Sequence, residues 1–547
     1  GLRNSSMLGG DTPATEAVAT EAAGPADGAT PADTAAPGGI PAPALEALSR
    51  VGRKRVLRRG EALIWQGEGE AAARQMDKIP LDRRERYMAS LALLQGNLPQ
   101  MIGLSVPADL MSDPGYVYRL ARHYRRTGEG YRGQQLLATR GAFARPPHDA
   151  EEMVTEMLVQ ARGAGASVAA SIAGKVDDLF APGTDISGLS YKLRDDYTSL
   201  MWLGGTKALW DMGDGNQAAP LFYRYGNAAR TPQTRSKGFY WAGNASARAG
   251  NATEANRYFE MAAQYPEYFY GQLALERLGR PLPQFKQVSL ASVNPQQAAA
   301  FNASPLAAAI RTIARTGIDW RTERYFFVAL AENAKDATEL QLAANLAREL
   351  GLEELAVVVG RVAPEKGIEG FTRVGFPVIP TPPGTDFTII HAIARQESEF
   401  DINRISHAGA RGVMQLMPGT AQEQAGKMGM SYMSASLMTD PQYNIRLGDG
   451  YFARMMDYYG GSYPLAVAAY NAGPGNVNKW LRANGDPRTG GIDWLRWVEQ
   501  IPIFETKNYV HRVLENAVVY EALNPERIRG GGRPRGVSQF LGKRTPG

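Results

Sequence analysis

The sequence predicts an all-α protein, and three observations support this fold class. Apolar residues recur every three to four positions through most of residues 45–280 and again over 296–362, which is the spacing of helices with one buried face. A weak internal repeat places a glycine five residues before a small residue between these helical segments. Prolines interrupt the helical pattern over 281–297 and most decisively over 376–384. We therefore expect blocks of helices separated by two proline-containing breaks.

The composition is that of a globular chain and excludes several kinds of site. The 547 residues are 44% hydrophobic and 21% charged, which is enough to form a large core. There is no cysteine, so disulfides, thiolate zinc sites, iron–sulfur clusters and cysteine nucleophiles are excluded. The net charge of +5 is small for this length and lacks the concentrated basic face of a nucleic-acid binder. No apolar run approaches the roughly 18 residues of a membrane span.

Composition also divides the chain into five parts. Residues 11–45 hold twelve Ala and six Pro and no basic residue, too little apolar surface to offset the entropy of ordering. Residues 525–547 carry six basic residues against one acid; we interpret them as a solvated tail, with contact to an anionic polymer as the alternative. We expect a disordered Ala/Pro-rich tail (1–44), an α-superhelical domain (45–284), a helical linker domain (285–376), a further domain (377–524) and a basic disordered tail (525–547).

The glycine repeat predicts how the first helical domain is built. Its last two glycines are 37 residues apart, close to the length of a two-helix repeat. A glycine permits a tight turn between helices, and a small residue permits two helices to cross closely. We therefore expect a solenoid of helical hairpins. The pairs are Gly67/Ala72, Gly128/Gly133, Gly213/Ala218 and Gly250/Ala255.

An aromatic-rich stretch, residues 240–274, allows two interpretations. Tyr240, Trp241 and Tyr270 lie in segments with helical spacing. Such side chains pack between helices, and aromatic faces also suit the stacking of sugar rings. We favour packing, because periodicity alone does not identify a sugar-binding surface.

The residues that carry chemistry follow position 385. A helix is predicted to begin near Asp386, and Glu397 lies seven and four residues after Ile390 and Ile393, on the same apolar face. A carboxyl group on an apolar face is costly to ionise, so its pKa should be raised. That is what a general acid needs to protonate a glycosidic oxygen. Glu399 falls about 200° further round the helix and is expected to face solvent.

Four short motifs follow in a fixed order and identify a family. They comprise Glu397-Ser398, the Gly412–Ala421 run with Met414-Gln415-Leu416-Met417-Pro418, the Tyr470–Gly475 run, and Ile501-Pro502 with Glu505-Thr506 and Tyr509-Val510. On these residues the chain resembles the soluble lytic transglycosylases, which have a goose-lysozyme-like catalytic domain behind an α-superhelical domain. The resemblance extends over most of residues 45–524. Ile402 stands where the family often has proline, which concerns loop stiffness rather than chemistry.

The resemblance implies a lysozyme-like α fold for residues 377–524 and peptidoglycan glycan strands as the substrate. The bond cut would be the β-1,4 link from N-acetylmuramic acid to N-acetylglucosamine, leaving 1,6-anhydro-N-acetylmuramic acid ends, in cell-wall turnover. Glu397 would donate a proton to the leaving oxygen and then take one from the muramic acid 6-hydroxyl, which attacks intramolecularly. The substrate-binding residues implied are Ser406, Gln415, Met417, Tyr470, Asn471, Glu505 and Tyr509. A purely structural role is the alternative for five of them, Ser406, Gln415, Asn471, Glu505 and Tyr509.

Two other functions stay open on the sequence alone. A hydrolytic muramidase on the same fold would leave reducing ends instead of anhydro ends. An envelope scaffold would carry an inactive lysozyme-like domain, but the intact Glu397, Gln415 and Tyr470 argue against it.

The remaining expectations concern cofactors, location and mode of action. The five histidines show no metal-ligand spacing, so we expect no metal and no cofactor. A curved array of helices beside a sugar cleft favours exo-acting cleavage from chain ends. Because peptidoglycan lies outside the cytoplasm, we expect a periplasmic enzyme whose signal peptide has been removed, with no nucleic-acid partner and no integral membrane span. Partners in the envelope machinery are unknown.

Overall fold

The computed structural model describes residues 55–287, 293–316 and 320–547, and these residues are all-α, as the sequence predicts. β-Pairing in the described residues is limited to two isolated antiparallel bridges, Ile405 with Arg411 and Arg411 with Leu416. The predicted Ala/Pro-rich tail, 1–44, lies outside the described residues. The described chain forms two compact units, one ending at Met212 and one from Gly213 to Gly547.

The unit that ends at Met212 consists of helices joined by short turns. Residues 55–66 are helical, and a π-helical turn at Lys207–Asp211 follows the last α-helix. Helix α3 packs on α4, and α5 packs on α7. The helices are α1 (Gly69–Ala73), α2 (Leu81–Leu94), α3 (Pro114–Arg126), α4 (Gly130–Thr139), α5 (Ala150–Arg162), α6 (Ala166–Gly174) and α7 (Tyr191–Thr206).

The unit from Gly213 to Gly547 contains the predicted catalytic domain. Its described helices differ in length and are joined by loops or 3₁₀ turns, and ten of them precede the helix that carries Glu397. The helices are α8 (Gly215–Ala228), α9 (Pro232–Arg248), α10 (Ala252–Ala263), α11 (Phe269–Arg277), α12 (Pro295–Asn302), α13 (Pro305–Thr316), α14 (Trp320–Asn333), α15 (Ala337–Glu349), α16 (Ala356–Glu365), α17 (Thr372–Gly375), α18 (Phe387–Glu397), α19 (Pro418–Lys427), α20 (Ser436–Thr439), α21 (Pro441–Tyr458), α22 (Tyr463–Ala472), α23 (Pro474–Asn484), α24 (Trp494–Glu499), α25 (Phe504–Leu523) and α26 (Val537–Phe540).

The glycine repeat marks turns between helices, as predicted. Gly67, Gly128, Gly213 and Gly250 all have φ between +72° and +86°, a left-handed conformation that glycine adopts without steric cost. The small partners are buried where helices cross. At Gly133, for example, a Cβ atom would lie 2.9 Å from the carbonyl oxygen of Ala121 on the neighbouring helix.

The aromatic stretch packs between helices, so the packing interpretation is correct. Tyr240, Trp241 and Tyr270 are at most 3% exposed, and the ring centroids of Tyr240 and Tyr270 are 5.3 Å apart. Rings buried to this extent have no face free for sugar.

The prediction of a disordered tail at 525–547 is wrong for its second half. Val537, Phe540 and Leu541 are buried, and the Arg535 guanidinium pairs with the Glu521 carboxylate at 2.5 Å. The prediction failed because the tail is mostly charged residues and glycine by composition. Composition does not show that its few apolar side chains are buried together.

Helices α22 and α25 position the predicted catalytic region. Helix α25 packs against both α18 and α22, and α22 packs against α21. Their facing residues are apolar, with Ile393 and Val513 both fully buried. Among the described helices, none combines the length and apolar content needed to cross a bilayer.

Glycines bring α8 and α9 into backbone contact. A Cβ atom at Gly238 of α9 would lie 2.4 Å from the amide nitrogen and 2.5 Å from the Cα of Gly226 on α8. At Gly215 a Cβ would lie 2.2 Å from the Ala245 carbonyl oxygen. Because these neighbours are backbone atoms, they cannot move aside without separating the helices.

We expect Gly238→Ala to destabilise the protein by about 2–3 kcal/mol, the usual cost of overpacking. The control is Gly426→Ala in α19, where a Cβ meets nothing within 4 Å; it should be neutral or stabilising by up to about 1 kcal/mol. Denaturant unfolding of both variants tests this, and equal stabilities would contradict the close α8–α9 contact.

Candidate active site

Glu397 is the last residue of α18, and local sequence explains its position. The helix begins where predicted, because the Asp386 carboxylate accepts a hydrogen bond from the Ile389 amide at 3.2 Å. The stripe of Ile389, Ile390 and Ile393 is buried against the core. Glu397 continues this stripe at the helix end and is half-buried. The carboxyl group is thus partly withdrawn from water without being sealed off.

The environment of Glu397 tunes its acidity to neutral pH. Burial raises its pKa from 4.5 to about 7, and the negative charge of Glu505 acts in the same direction. A hydrogen bond from Tyr509 and the positive charge of Arg404 partly oppose this rise. The tyrosine hydroxyl donates to Glu397 Oε1 at 2.7 Å. Near neutral pH the group can therefore both hold and release a proton.

Two tyrosines border this carboxyl. Tyr509 on α25 is only 4% exposed, so it contacts Glu397 from the protein interior rather than from an open surface. Tyr470 on α22 donates its hydroxyl to the Met414 carbonyl oxygen at 2.9 Å. Burial and the neighbouring charge of Glu397 raise the pKa values of both tyrosines well above 10. Both hydroxyls therefore stay protonated and act as hydrogen-bond donors.

The chain turns sharply after Glu397. Ser398 is buried, and its hydroxyl donates to the Val413 carbonyl oxygen at 2.7 Å and accepts from the Phe400 amide at 3.0 Å. Glu399 and Phe400 have φ of 54° and 73°, a left-handed conformation that is uncommon for residues with a side chain. Ser398 thereby ties the end of α18 to the loop that carries Gln415.

The predicted exposure of Glu399 is wrong. Its side chain is 19% exposed and pairs with Arg324 of α14 at 2.8 Å. The helical projection fails because α18 ends at Glu397, so the 100° rotation per residue no longer applies two residues later.

Gln415 sits in a strained, buried loop. It is 7% exposed and has φ of 47°. Its Nε2 atom donates to the carbonyl oxygens of Arg404 and Gly412 at 2.9 and 2.8 Å. Its Oε1 atom has no hydrogen-bond partner among the described residues. A buried amide oxygen without a partner favours a ligand that donates to it.

Asn444 holds this loop in place and was not identified from the sequence. It is fully buried on α21 and donates to the carbonyl oxygens of Arg411 and Leu437 at 3.0 and 2.9 Å. Its Oδ1 atom accepts from the Met414 amide at 2.8 Å. The sequence did carry a signal, since Asn444 precedes Leu447 by three residues on a buried face. A polar residue on an apolar stripe is the pattern that identified Glu397.

The other predicted site residues differ in the contacts that they make. Asn471 accepts a hydrogen bond from the Thr506 hydroxyl at 2.6 Å and so joins the end of α22 to the start of α25. Glu505 is half-buried and close enough to influence Glu397 electrostatically. Ser406 bonds within its own turn, accepting from the Ala410 amide at 3.0 Å. Met417 is 42% exposed at the start of α19.

His391 lies on the same helix as Glu397. His391 is fully buried; it donates from Nδ1 to the Phe387 carbonyl and accepts from the Ile379 amide. Burial lowers its pKa to about 4, so it is neutral. Over the ranges that the structure covers, no group of three or more acidic or histidine side chains could hold a metal ion.

Comparison with known proteins finds relatives for much of the chain. Residues 381–490 match the family described as Transglycosylase SLT domain. The chain is 26% identical over 482 residues to a soluble lytic murein transglycosylase of Salmonella typhimurium, covering 84% of this chain and 70% of that protein. It is 40% identical over 130 residues to the Escherichia coli protein of the same name, where the match spans 24% of this chain and only 20% of the relative.

A solved structure shows the same fold. An inactive variant of the lytic transglycosylase Slt from Pseudomonas aeruginosa superimposes with a TM-score of 0.51 at 22% identity, covering 90% of this chain and 75% of that one. The predicted resemblance to soluble lytic transglycosylases is confirmed.

The raised pKa of Glu397 predicts a pH-dependent cost to stability. Because its folded pKa of about 7 exceeds 4.5, this group favours folding below pH 4.5 and loses that contribution as the pH rises through 7. We expect Glu397→Gln, which cannot ionise, to match the wild type at pH 4 and to be more stable by about 1–2 kcal/mol at pH 8, allowing for partial solvent screening.

Thermal unfolding at both pH values measures this difference. Glu526→Gln, at an exposed glutamate, is the matched control and should change stability equally at the two pH values. A Glu397→Gln variant with no greater advantage at pH 8 than at pH 4 would mean that the carboxyl is well solvated.

Proposed function

We propose that this chain, whose residues 381–490 match the Transglycosylase SLT domain, is a lytic transglycosylase that cleaves the glycan strands of peptidoglycan to leave 1,6-anhydro-N-acetylmuramic acid ends. The bond cut is the β-1,4 link between N-acetylmuramic acid and N-acetylglucosamine. The observation that carries the proposal is one half-buried carboxyl, Glu397, with a pKa of about 7 and a tyrosine donor at 2.7 Å.

In the first step Glu397 acts as a general acid. Its proton passes to the glycosidic oxygen as the bond to the muramic acid anomeric carbon breaks, and the N-acetylglucosamine hydroxyl departs. The substrate's own acetamido group shields the electron-poor carbon. The Tyr509 hydroxyl, which already donates to Glu397 Oε1, stabilises the carboxylate that forms.

In the second step the same carboxylate acts as a base. It takes the proton of the muramic acid 6-hydroxyl, whose oxygen attacks the anomeric carbon and closes the anhydro ring. Glu397 is then protonated again, and no water is consumed. Because nucleophile and electrophile belong to one sugar, the step has the advantage of an intramolecular reaction.

The remaining site residues suit binding and positioning roles. The unpartnered Gln415 amide oxygen suits an N–H or O–H donor of the sugar. Ser406, Met417 and Asn471 form further parts of the proposed substrate cleft. Tyr470 and Tyr509 suit positioning better, since one binds the Met414 carbonyl and the other binds Glu397 itself.

Glu505 supports a second candidate, a hydrolytic muramidase. Most glycosidases use two carboxyl groups, the second of which activates water or forms a covalent intermediate. Glu505 is an acidic side chain close enough for its negative charge to raise the pKa of Glu397. Hydrolysis would produce reducing ends, which distinguishes the two reactions by their products.

We also propose that the enzyme works from chain ends, in the periplasm. The exo preference is supported by the repeat of helices before the catalytic region, which suits a restricted approach to strand ends. The location follows from the substrate.

We expect purified sacculi treated with the wild type to release muropeptides that are lighter by one water than the hydrolytic products. Glu397→Gln should reduce release by at least about a thousandfold, because it keeps the shape of the side chain but has no proton to give. Mass spectrometry of the products is the measurement. Products with reducing ends would favour the muramidase, and equal clearing by both proteins would remove Glu397 from the mechanism.

The exo proposal makes a separate prediction about time course. Disaccharide muropeptides should dominate from the earliest time points, while the mean length of the remaining strands falls slowly. Chromatography of products sampled early in the digestion, while few strands have been cut twice by chance, measures this. Early release of long fragments would indicate endo cleavage instead.

A further inference from the structure

A buried cluster of charged groups lies on the far side of α25 from the candidate active site. Its centre is Glu499, the last residue of α24, whose side chain is fully buried. The Lys237 ammonium group of α9 lies 2.7 Å from Glu499 Oε2, and the Tyr270 hydroxyl of α11 donates to Oε1. Lys507 and His511 of α25 lie 3.9 and 3.5 Å from the same carboxylate. We name these five residues the Glu499 cluster.

The Glu499 cluster is charged at neutral pH. Burial by itself raises the pKa of Glu499, but Lys237, Lys507 and His511 outweigh it and lower the pKa to about 2. Burial lowers the pKa of Lys237 to about 8 against the opposing effect of Glu499. Burial also lowers the pKa of His511 to about 3, so this ring is neutral. A carboxylate held between ammonium groups in a dry site resists displacement, since separation would leave a charge buried alone.

Helix α25 connects this cluster to Glu397. Lys507 and His511 each lie two residues after a predicted site residue, Glu505 and Tyr509 respectively. Two residues correspond to about 200° of helix rotation, so the cluster and the site use opposite faces of the same two turns. Lys507 also donates to the Glu499 carbonyl oxygen at 3.3 Å. The start of α25 must be rotated correctly about the helix axis and buried to the right depth. Only then does the Tyr509 hydroxyl lie 2.7 Å from Glu397 Oε1.

We propose that Lys237 and Glu499 are positioning residues for the catalytic acid: their ion pair sets the start of α25 and thereby holds the Tyr509 hydroxyl on Glu397. Lys237 lies on α9, which precedes the matched residues 381–490 in sequence. Through this contact, a helix outside the matched region helps to position the catalytic acid. The inference rests on the proposed function, because it concerns the protonation of Glu397.

The test is the double variant Lys237→Met/Glu499→Gln, which removes one cation and one anion and so leaves the cluster's net charge unchanged. We expect kcat to fall by about tenfold, in line with a small misplacement of a catalytic group. We also expect activity to be lost at higher pH than in the wild type, because the Tyr509 hydrogen bond lowers the pKa of Glu397. We call the pH range over which activity is lost the pH limb. A role in stability alone would leave the pH limb unmoved.

Tyr509→Phe provides the reference for that shift. The other groups that act on Glu397, namely Arg404, Glu505 and Tyr470, are unchanged in all variants. We expect Tyr509→Phe to move the limb in the same direction, and adding it to the double variant to give no further shift. A further shift of equal size in the combined variant would show that the two act independently, and would overturn the proposal.

The matched control makes the same two changes at an exposed pair. Lys286 and Glu369 lie 2.9 Å apart with side chains 80% and 76% exposed, and Lys286→Met/Glu369→Gln should leave kcat and the pH limb unchanged. If the double variant in the cluster does not fold, Tyr270→Phe removes one neutral hydrogen bond to Glu499 and should give a smaller shift in the same direction.

The outcomes separate the two proposals. A folded cluster variant with wild-type kcat and pH limb, or a Tyr270→Phe variant with an unmoved limb, overturns the positioning role. A wild-type protein that releases no anhydro muropeptides contradicts the proposed function instead.

Discussion

The structure depends on keeping one carboxyl group partly out of water and within reach of one hydroxyl group. Burial of Glu397 makes its charged form costly, and the hydrogen bond from Tyr509 makes that form less costly again. The balance places its pKa at about 7. Burial alone would favour the protonated form more strongly, and the hydrogen bond alone would favour the ionised form. The proposed role of Glu397, which gives and then takes a proton, needs the two together.

Buried polar side chains convert this balance into fixed geometry. Ser398 joins the end of α18 to the Val413 carbonyl. The next residue in the loop, Met414, is held at its amide by Asn444 and at its carbonyl by Tyr470. These bonds keep residues 399, 400 and 415 in left-handed conformations that a free loop would leave. Because an unpaired buried polar group is costly, each bond restrains the loop more firmly than an exposed one would.

Carboxylates anchor α25 to the helices that precede the catalytic region. Glu499 meets Lys237 just before the helix starts, and Glu515 accepts a hydrogen bond from the Phe269 amide at 2.7 Å within it. Residues 213–547 accordingly form one compact unit. The helix that supplies Tyr509 therefore takes its position from residues far away in sequence as well as from its neighbours.

The sequence by itself determined the helical class, the glycine turns, the start of α18 and the position of Glu397 on an apolar face. Each of these follows from spacing within one or two helical turns, where local geometry is regular. It also indicated Tyr509 and Gln415 through family resemblance, without their contacts. Only the tertiary structure decided that Tyr509 donates to Glu397, that Asn444 holds the loop, that Glu399 pairs with Arg324 and that residues 535–541 pack into the fold. These depend on which distant segments meet, and the free energy of burying a charge or a polar group depends on those partners rather than on the residue alone.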